Sequence, residues 1–233
     1  MWGWLVVAVL IDIEGVDGAG KGTQSRRLVE RIRASGRSCA LVGFPRYDAT
    51  WFGRAVGRFL NGAFGQLDDV HPFLVSLLFA GDRFESREEL ARALATHDVV
   101  VLDRYVASNK AHQGAKASGP ERLELVAAID HLEHGLYGLP RPDRVILLDL
   151  AVSTAQELVG RKAARSYTEK AADLQEADGP YLEKVASLYR ELAAGDASWR
   201  VVGCEQAGAL RDIECIGDEI WRLASELLPG AAS

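Results

Sequence analysis

A chain of 233 residues suits one α/β domain around a single hydrophobic core, although length alone leaves room for two small ones. Hydrophobic residues at 48% and charged residues at 26% exclude a disordered or low-complexity chain, and a net charge of −6 offers no broad basic surface to a nucleic acid polymer. Cys39, Cys204 and Cys215 are odd in number and far apart, which fits neither a disulfide framework nor a zinc site and points to a reducing, cytoplasmic setting.

The apolar opening from Trp2 to Leu10 lacks a basic leader and is too short to cross a membrane. It reads as the run into a buried strand over Leu5 to Ile13, with a mis-assigned start or an interface pair at Trp2 and Trp4 left open. Directly after it comes Glu14-Gly15-Val16-Asp17-Gly18-Ala19-Gly20-Lys21-Gly22-Thr23-Gln24, a GxxxxGK loop that carries Gly22 and then Thr23 where the strict motif has Ser or Thr at once. A helical pattern with Leu28, Val29 and Ile32 follows, so the loop has the strand-to-helix context it requires. Gly15, Gly18 and Gly20 let successive N–H groups, including that of Ala19, turn inward, and the helix start adds its positive dipole end. Lys21 can then bridge the β- and γ-phosphates of ATP while the Thr23 hydroxyl helps hold Mg2+. Asp17 is out of place beside phosphates; stabilising the turn is one account of it.

Further along, Gly36 suits a helix C-terminus and Cys39 to Gly43 a second strand, ended by Phe44-Pro45-Arg46-Tyr47. That segment is either an ordinary turn with a surface arginine or a device aiming an aromatic ring and a cation into a site. Trp51, Phe52, Ala55, Val56, Phe59 and Leu60 share one helix face. Phe79 and Arg83, four apart on a long apolar helix, can project together, a stacking ring and a donor suited to a pyrimidine; a core Phe and a solvated Arg fit the same spacing. Val99 to Asp103 is a third strand whose end carries Asp103 and Arg104, a carboxylate that can serve Mg2+ through water and a guanidinium that can grip phosphate. A structural salt bridge is the plainer use of Asp103. Pro120 and Pro180 suit helix first turns, Ser153 with Gln156 a capping box, and Gly195 a helix end, while Val145 to Leu150 and Trp199 to Gly203 complete five strands. Strands alternating with helices predict one three-layer α/β domain over 1–233, a five-stranded parallel sheet with helices on both faces and ligands at the strand C-terminal ends.

The P-loop with its internal acid, Phe44-Pro45-Arg46-Tyr47, and Asp103-Arg104-Tyr105-Val106-Ala107-Ser108-Asn109 running on to His112-Gln113 together resemble the thymidylate kinases, within the P-loop nucleoside monophosphate kinases. The resemblance implies transfer of the γ-phosphoryl group of ATP to dTMP with Mg2+ as cofactor, and a homodimer packed through helices after the second and third strands. It places Asp17 at the deoxyribose 3′-hydroxyl, Phe44 near the base, Tyr47 or Arg46 near the acceptor phosphate, and Phe79 and Arg83 on the pyrimidine. It assigns Arg104 to the acceptor phosphate, Asn109 and Gln113 to the pyrimidine, and His112 to the sugar, where related sequences often carry an aromatic ring. Some members carry a catalytic arginine directly after the acidic P-loop residue, where this chain has Gly18, so the cation is expected from a lid over about 160–178, with Arg165 ahead of Arg161 and Lys162. Kinases of another monophosphate, a P-loop ATPase switch working on a protein partner, and a silent nucleotide-binding module are the rival readings of the same motifs.

Overall fold

The computed structural model of the chain describes residues 8–160, 175 and 178–228. Strands β1 (Val9–Glu14), β2 (Cys39–Gly43), β3 (Val99–Asp103), β4 (Arg144–Asp149) and β5 (Trp199–Gly203) form one sheet in the order β2-β3-β1-β4-β5, with every neighbouring pair parallel. Helix α1 (Lys21–Ala34) links β1 to β2, and α2 (Trp51–Leu60), α3 (Pro72–Glu85) and α4 (Arg87–Thr96) lead to β3. Helices α5 (Val106–Gly114) and α6 (Gly119–Asp130) connect β3 to β4, α7 (Val152–Gly160) and α8 (Gly179–Gly195) lie between β4 and β5, and α9 (Ile213–Ser225) follows β5.

The central strands are apolar almost throughout, as a sheet covered on both faces demands. Ile11, Ile13, Val99 and Val101 pack with Leu28 and Ile32 of α1 and Ile216 and Ile220 of α9. Their neighbours Leu10, Val100 and Leu102 face the other way, onto Leu90 and Leu94 of α4 and Leu125 and Ile129 of α6. The register pairs Asp103 with both Ile13 and Gly43, so β1, β2 and β3 end side by side. The loops leaving these three strands therefore meet over one crevice.

Some boundaries differ from the sequence reading. Leu5 to Val7 lie outside the described residues, and Ser153 sits inside α7 instead of capping it, because the Ala151 carbonyl already accepts the first helical bond, from Ala155 N at 2.9 Å. Gly195 is the last residue of α8, which leaves through an extended Asp196. A short ribbon of β6 (Glu205–Gln206) and β7 (Ala209–Leu210) was not expected; Ala207 and Gly208 both take positive φ, the requirement of a tight two-residue hairpin. Helix α6 also runs on into a π-helical turn, His131–Leu136. The three cysteines are thiols, and no described helix is long and apolar enough to cross a membrane.

Ile220 of α9 is fully buried in the core that α9 shares with α1 and the sheet. Ile220→Ala is expected to lower the unfolding free energy by about 2–5 kcal/mol through lost contacts and the cavity left behind. Urea denaturation reads this directly, and a change within a few tenths of a kcal/mol would mean that the α9 interface carries little of the fold.

Candidate active site

The phosphate loop leaves the end of β1 and enters α1 at Lys21. Lys21 folds back on its own loop: Nζ donates to the carbonyls of Gly15 at 2.9 Å and Val16 at 2.8 Å, and lies 3.9 Å from Asp17 Oδ1. Burial, and then the nearby Arg104, push the ammonium down to about 8. Gly18 has φ 94°, and a Cβ there would stand 2.2 Å from the Ala155 carbonyl oxygen of α7. An arginine at this position, as some thymidylate kinases are expected to have, finds no room. The fit is close at Gly22 as well, where a Cβ would stand 3.0 Å from Asp103 Oδ2, the end of a side chain that would have to give. Thr23, one residue on, is exposed. Thr23 and Asp103 are the hard oxygen donors that Mg2+ takes alongside phosphate and water, whereas no group of three or more metal-binding side chains exists among the described residues. The residues fit an ion that arrives with the nucleotide.

Across the crevice, Arg104 occupies the left-handed region at φ 70°, an uncommon conformation for a residue with a side chain. Its Nη2 donates to Asp17 Oδ1 at 2.5 Å and its Nη1 to Ser108 Oγ at 3.0 Å. Burial alone would raise the Asp17 carboxyl, but the Arg104 guanidinium, with Lys21 behind it, holds it well below the usual carboxylate range. Asp17 thus stands between the two cations of the site.

A cleft opens beside this pair, lined among others by Phe44, Tyr47, Phe79, Arg83, Asn109, His112 and Gln113. Arg83 is almost fully buried, with Nε and Nη2 both on the Glu133 carboxylate. Asn109 Nδ2 donates to the same carboxylate at 2.9 Å and to the Ser76 carbonyl at 3.0 Å, which turns Oδ1 away; that oxygen has no partner among the described residues. Both amide atoms of the fully buried Gln113 are likewise without partners there. The Tyr181 hydroxyl donates to the His112 carbonyl at 2.9 Å and so accepts from Nδ1 at 3.1 Å, leaving His112 Nε2 a buried acceptor without a partner among the described residues. Polar atoms this deep belong with a partner, so the cleft is built for a ligand with both donors and acceptors.

Phe44, which also packs against the Tyr105 ring at 6.0 Å, follows β2 through a cis bond to Pro45. The turn is pinned by Asp82, which accepts from Arg46 N at 2.9 Å and from the Thr50 hydroxyl. Arg46 is the expected contact that the structure does not bring in: its guanidinium pairs with Glu89 of α4 at 2.6 Å, outside the cleft lining. Arg161, Lys162 and Arg165 lie outside the described residues; among the described residues of the lid, Gln175 adds to the cleft wall. Glu14, Ser108, Glu133 and Tyr189 were missed from sequence. Glu14 and Ser108 sat inside motifs already singled out, whereas Glu133 carried no local signal.

The family model for thymidylate kinase matches residues 13–210 of the chain. A thymidylate kinase of Mycobacterium tuberculosis is 36% identical over 199 residues, covering 84% of this chain and 92% of that protein. The thymidylate kinase of Homo sapiens is 29% identical over 220 residues, 93% of each. A solved thymidylate kinase structure from Candida albicans, 23% identical, matches at a TM-score of 0.71 over 94% of this chain and 92% of that one, a likeness of fold.

Burial, and then Arg104 beside it, push the His112 imidazole down to about 3. The unfolded chain, with an imidazole near the usual value of about 6.5, binds more protons between those limits, so this contribution is complete above pH 6.5 and shrinks as pH falls towards 3. The urea midpoint is expected to drop between pH 7 and pH 4.5, and His112→Gln to flatten that drop. Parallel slopes for the two proteins would take His112 out of the acid response.

Proposed function

The chain belongs to the thymidylate kinase family, and from that footing we propose that it transfers the γ-phosphoryl group of ATP to dTMP, giving dTDP and ADP. The observation that carries this reading is the single cleft in which Asp17, Phe79, Arg83, Arg104, Asn109 and Gln113 face one another next to the phosphate loop. A switch ATPase has no use for such a pocket.

The polar atoms favour a thymine or uracil edge. Arg83 can only donate, which suits a ring carbonyl and opposes the amino group of cytosine, while Asn109 Oδ1 can accept from the ring N–H. Phe79 supplies a face for stacking, and Asp17 and His112 Nε2 are acceptors for sugar hydroxyls. On this reading Arg104 grips the acceptor phosphate, with Tyr47 nearby, and Lys21 leaves its loop carbonyls to bridge the β- and γ-phosphates. Thr23 and Asp103 would hold Mg2+ beside the phosphates, where it would supply neutralisation of the charge on the phosphate oxygens. A lid cation, Arg165 ahead of Arg161 and Lys162, is assigned the remaining charge, and closure of the lid keeps water from the reacting phosphoryl. Direct in-line transfer needs positioning and charge more than covalent chemistry.

The enzyme is assigned to the cytoplasm and to a homodimer. Trp51, Phe73, Leu74 and Leu123 leave large apolar surfaces exposed on α2, α3 and α6, the helices between β2 and β4 that suit a second copy.

A coupled assay of ADP release over a panel of monophosphates is expected to rank dTMP first, dUMP behind it and CMP and AMP far below. Preference for another base would redirect the acceptor assignment, and steady hydrolysis without any acceptor would favour the switch. Lys21→Ala is expected to retain the fold and lower kcat by roughly a thousandfold, the scale of single electrostatic contacts in phosphoryl transfer. Near-normal turnover would remove Lys21 from the transition state.

A further inference from the structure

At the end of β1, immediately before Gly15 of the phosphate loop, Glu14 is fully enclosed and touches neither the cleft nor solvent. Its carboxylate nevertheless collects four hydrogen bonds. Oε1 accepts from Tyr105 N at 2.8 Å and Ser108 N at 2.9 Å, and Oε2 from Ser108 Oγ at 2.7 Å and Tyr189 OH at 2.8 Å. The first two donors are the opening amides of α5, whose N-cap, Tyr105, makes no side-chain cap of its own. Glu14 therefore caps α5 from a different strand, where a carboxylate also matches the helix dipole.

The last two bonds set the direction of the Ser108 hydroxyl. Tyr189 OH lies 3.0 Å from Ser108 Oγ and is held by the same carboxylate, so the serine proton stays within the Glu14–Tyr189 cluster and the oxygen presents a lone pair to Arg104 Nη1 at 3.0 Å, while Arg104 Nη2 rests on Asp17 at 2.5 Å. The two held nitrogens fix the guanidinium plane, and the α5 amides held by Glu14 follow directly on the left-handed Arg104 backbone. We propose that Glu14, acting through Ser108, is the positioning residue that presents Arg104 to the acceptor phosphate. This rests on Arg104 gripping that phosphate as proposed above.

The inference separates charge and hydrogen-bond polarity from shape. In Glu14→Gln the amide oxygen can still accept from both α5 amides, but the amide nitrogen must donate to Ser108 Oγ. The serine proton, displaced from Glu14, is left between the Tyr189 hydroxyl and Arg104, so the cluster no longer fixes a lone pair on the guanidinium. Ser108→Ala removes the same anchor without touching Glu14, and Ser108→Thr restores a hydroxyl.

The test is calorimetric binding of dTMP and of thymidine, which lacks the phosphate, alongside steady-state kinetics and thermal melting. Wild type is expected to bind dTMP more tightly than thymidine. Glu14→Gln and Ser108→Ala are each expected to weaken dTMP by about tenfold or more, the loss of one charge-assisted contact, with thymidine affinity and the KM for ATP unchanged. Ser108→Thr should recover most of the dTMP affinity. Equal weakening of dTMP and thymidine, or no weakening of dTMP in a folded variant, overturns the positioning role. If Glu14→Gln does not fold, the Ser108 pair decides by the same criteria. Failure of wild type to bind dTMP at all would instead count against the acceptor assignment.

Discussion

The site depends on unlike charges crowded where β1 and β3 end, largely out of water. Glu14 and Asp17 come from one strand end, Lys21 from the helix that follows it, and Arg104 from the other strand end. A buried charge whose partner is removed costs far more than the pair contributes, so each of these groups constrains the others. The parallel pairing that sets Ile13 beside Asp103 brings the two strand ends level and makes the crowding possible. The same arrangement is preorganised for phosphate, because both cations are already ordered and their present partners, loop carbonyls and a carboxylate, can be exchanged for phosphate oxygens.

Around this centre, a second layer decides what each contacting side chain can offer. Glu133 takes two nitrogens of Arg83 and one hydrogen of Asn109, so both residues meet the cleft with a defined remainder. Tyr181 selects the His112 tautomer, and Asp82 holds the Phe44 to Tyr47 turn. None of these supports need touch a ligand, yet a donor or an acceptor in the wrong place would change which base edge fits. Close packing enters in the same way at Gly18, where the approach of α7 forbids a side chain.

By itself the sequence determined the strand-loop-helix phosphate site, the five strands and the identities of most residues lining the cleft, because these depend on local patterns: apolar runs, glycine spacing, and charges placed at strand ends. Phe79 and Arg83 were legible as a pair from helical spacing alone. Only the tertiary structure decided which cations face the cleft, sending Arg46 to Glu89 and Arg104 to Asp17 and Ser108, and only it disclosed Glu14 and Glu133 as the anchors beneath. The reason is distance along the chain. Glu14 meets Tyr189 across 175 positions and Glu133 meets Arg83 across 50, and a side chain's partner at that separation is set by how layers pack, for which no neighbouring residue leaves a trace.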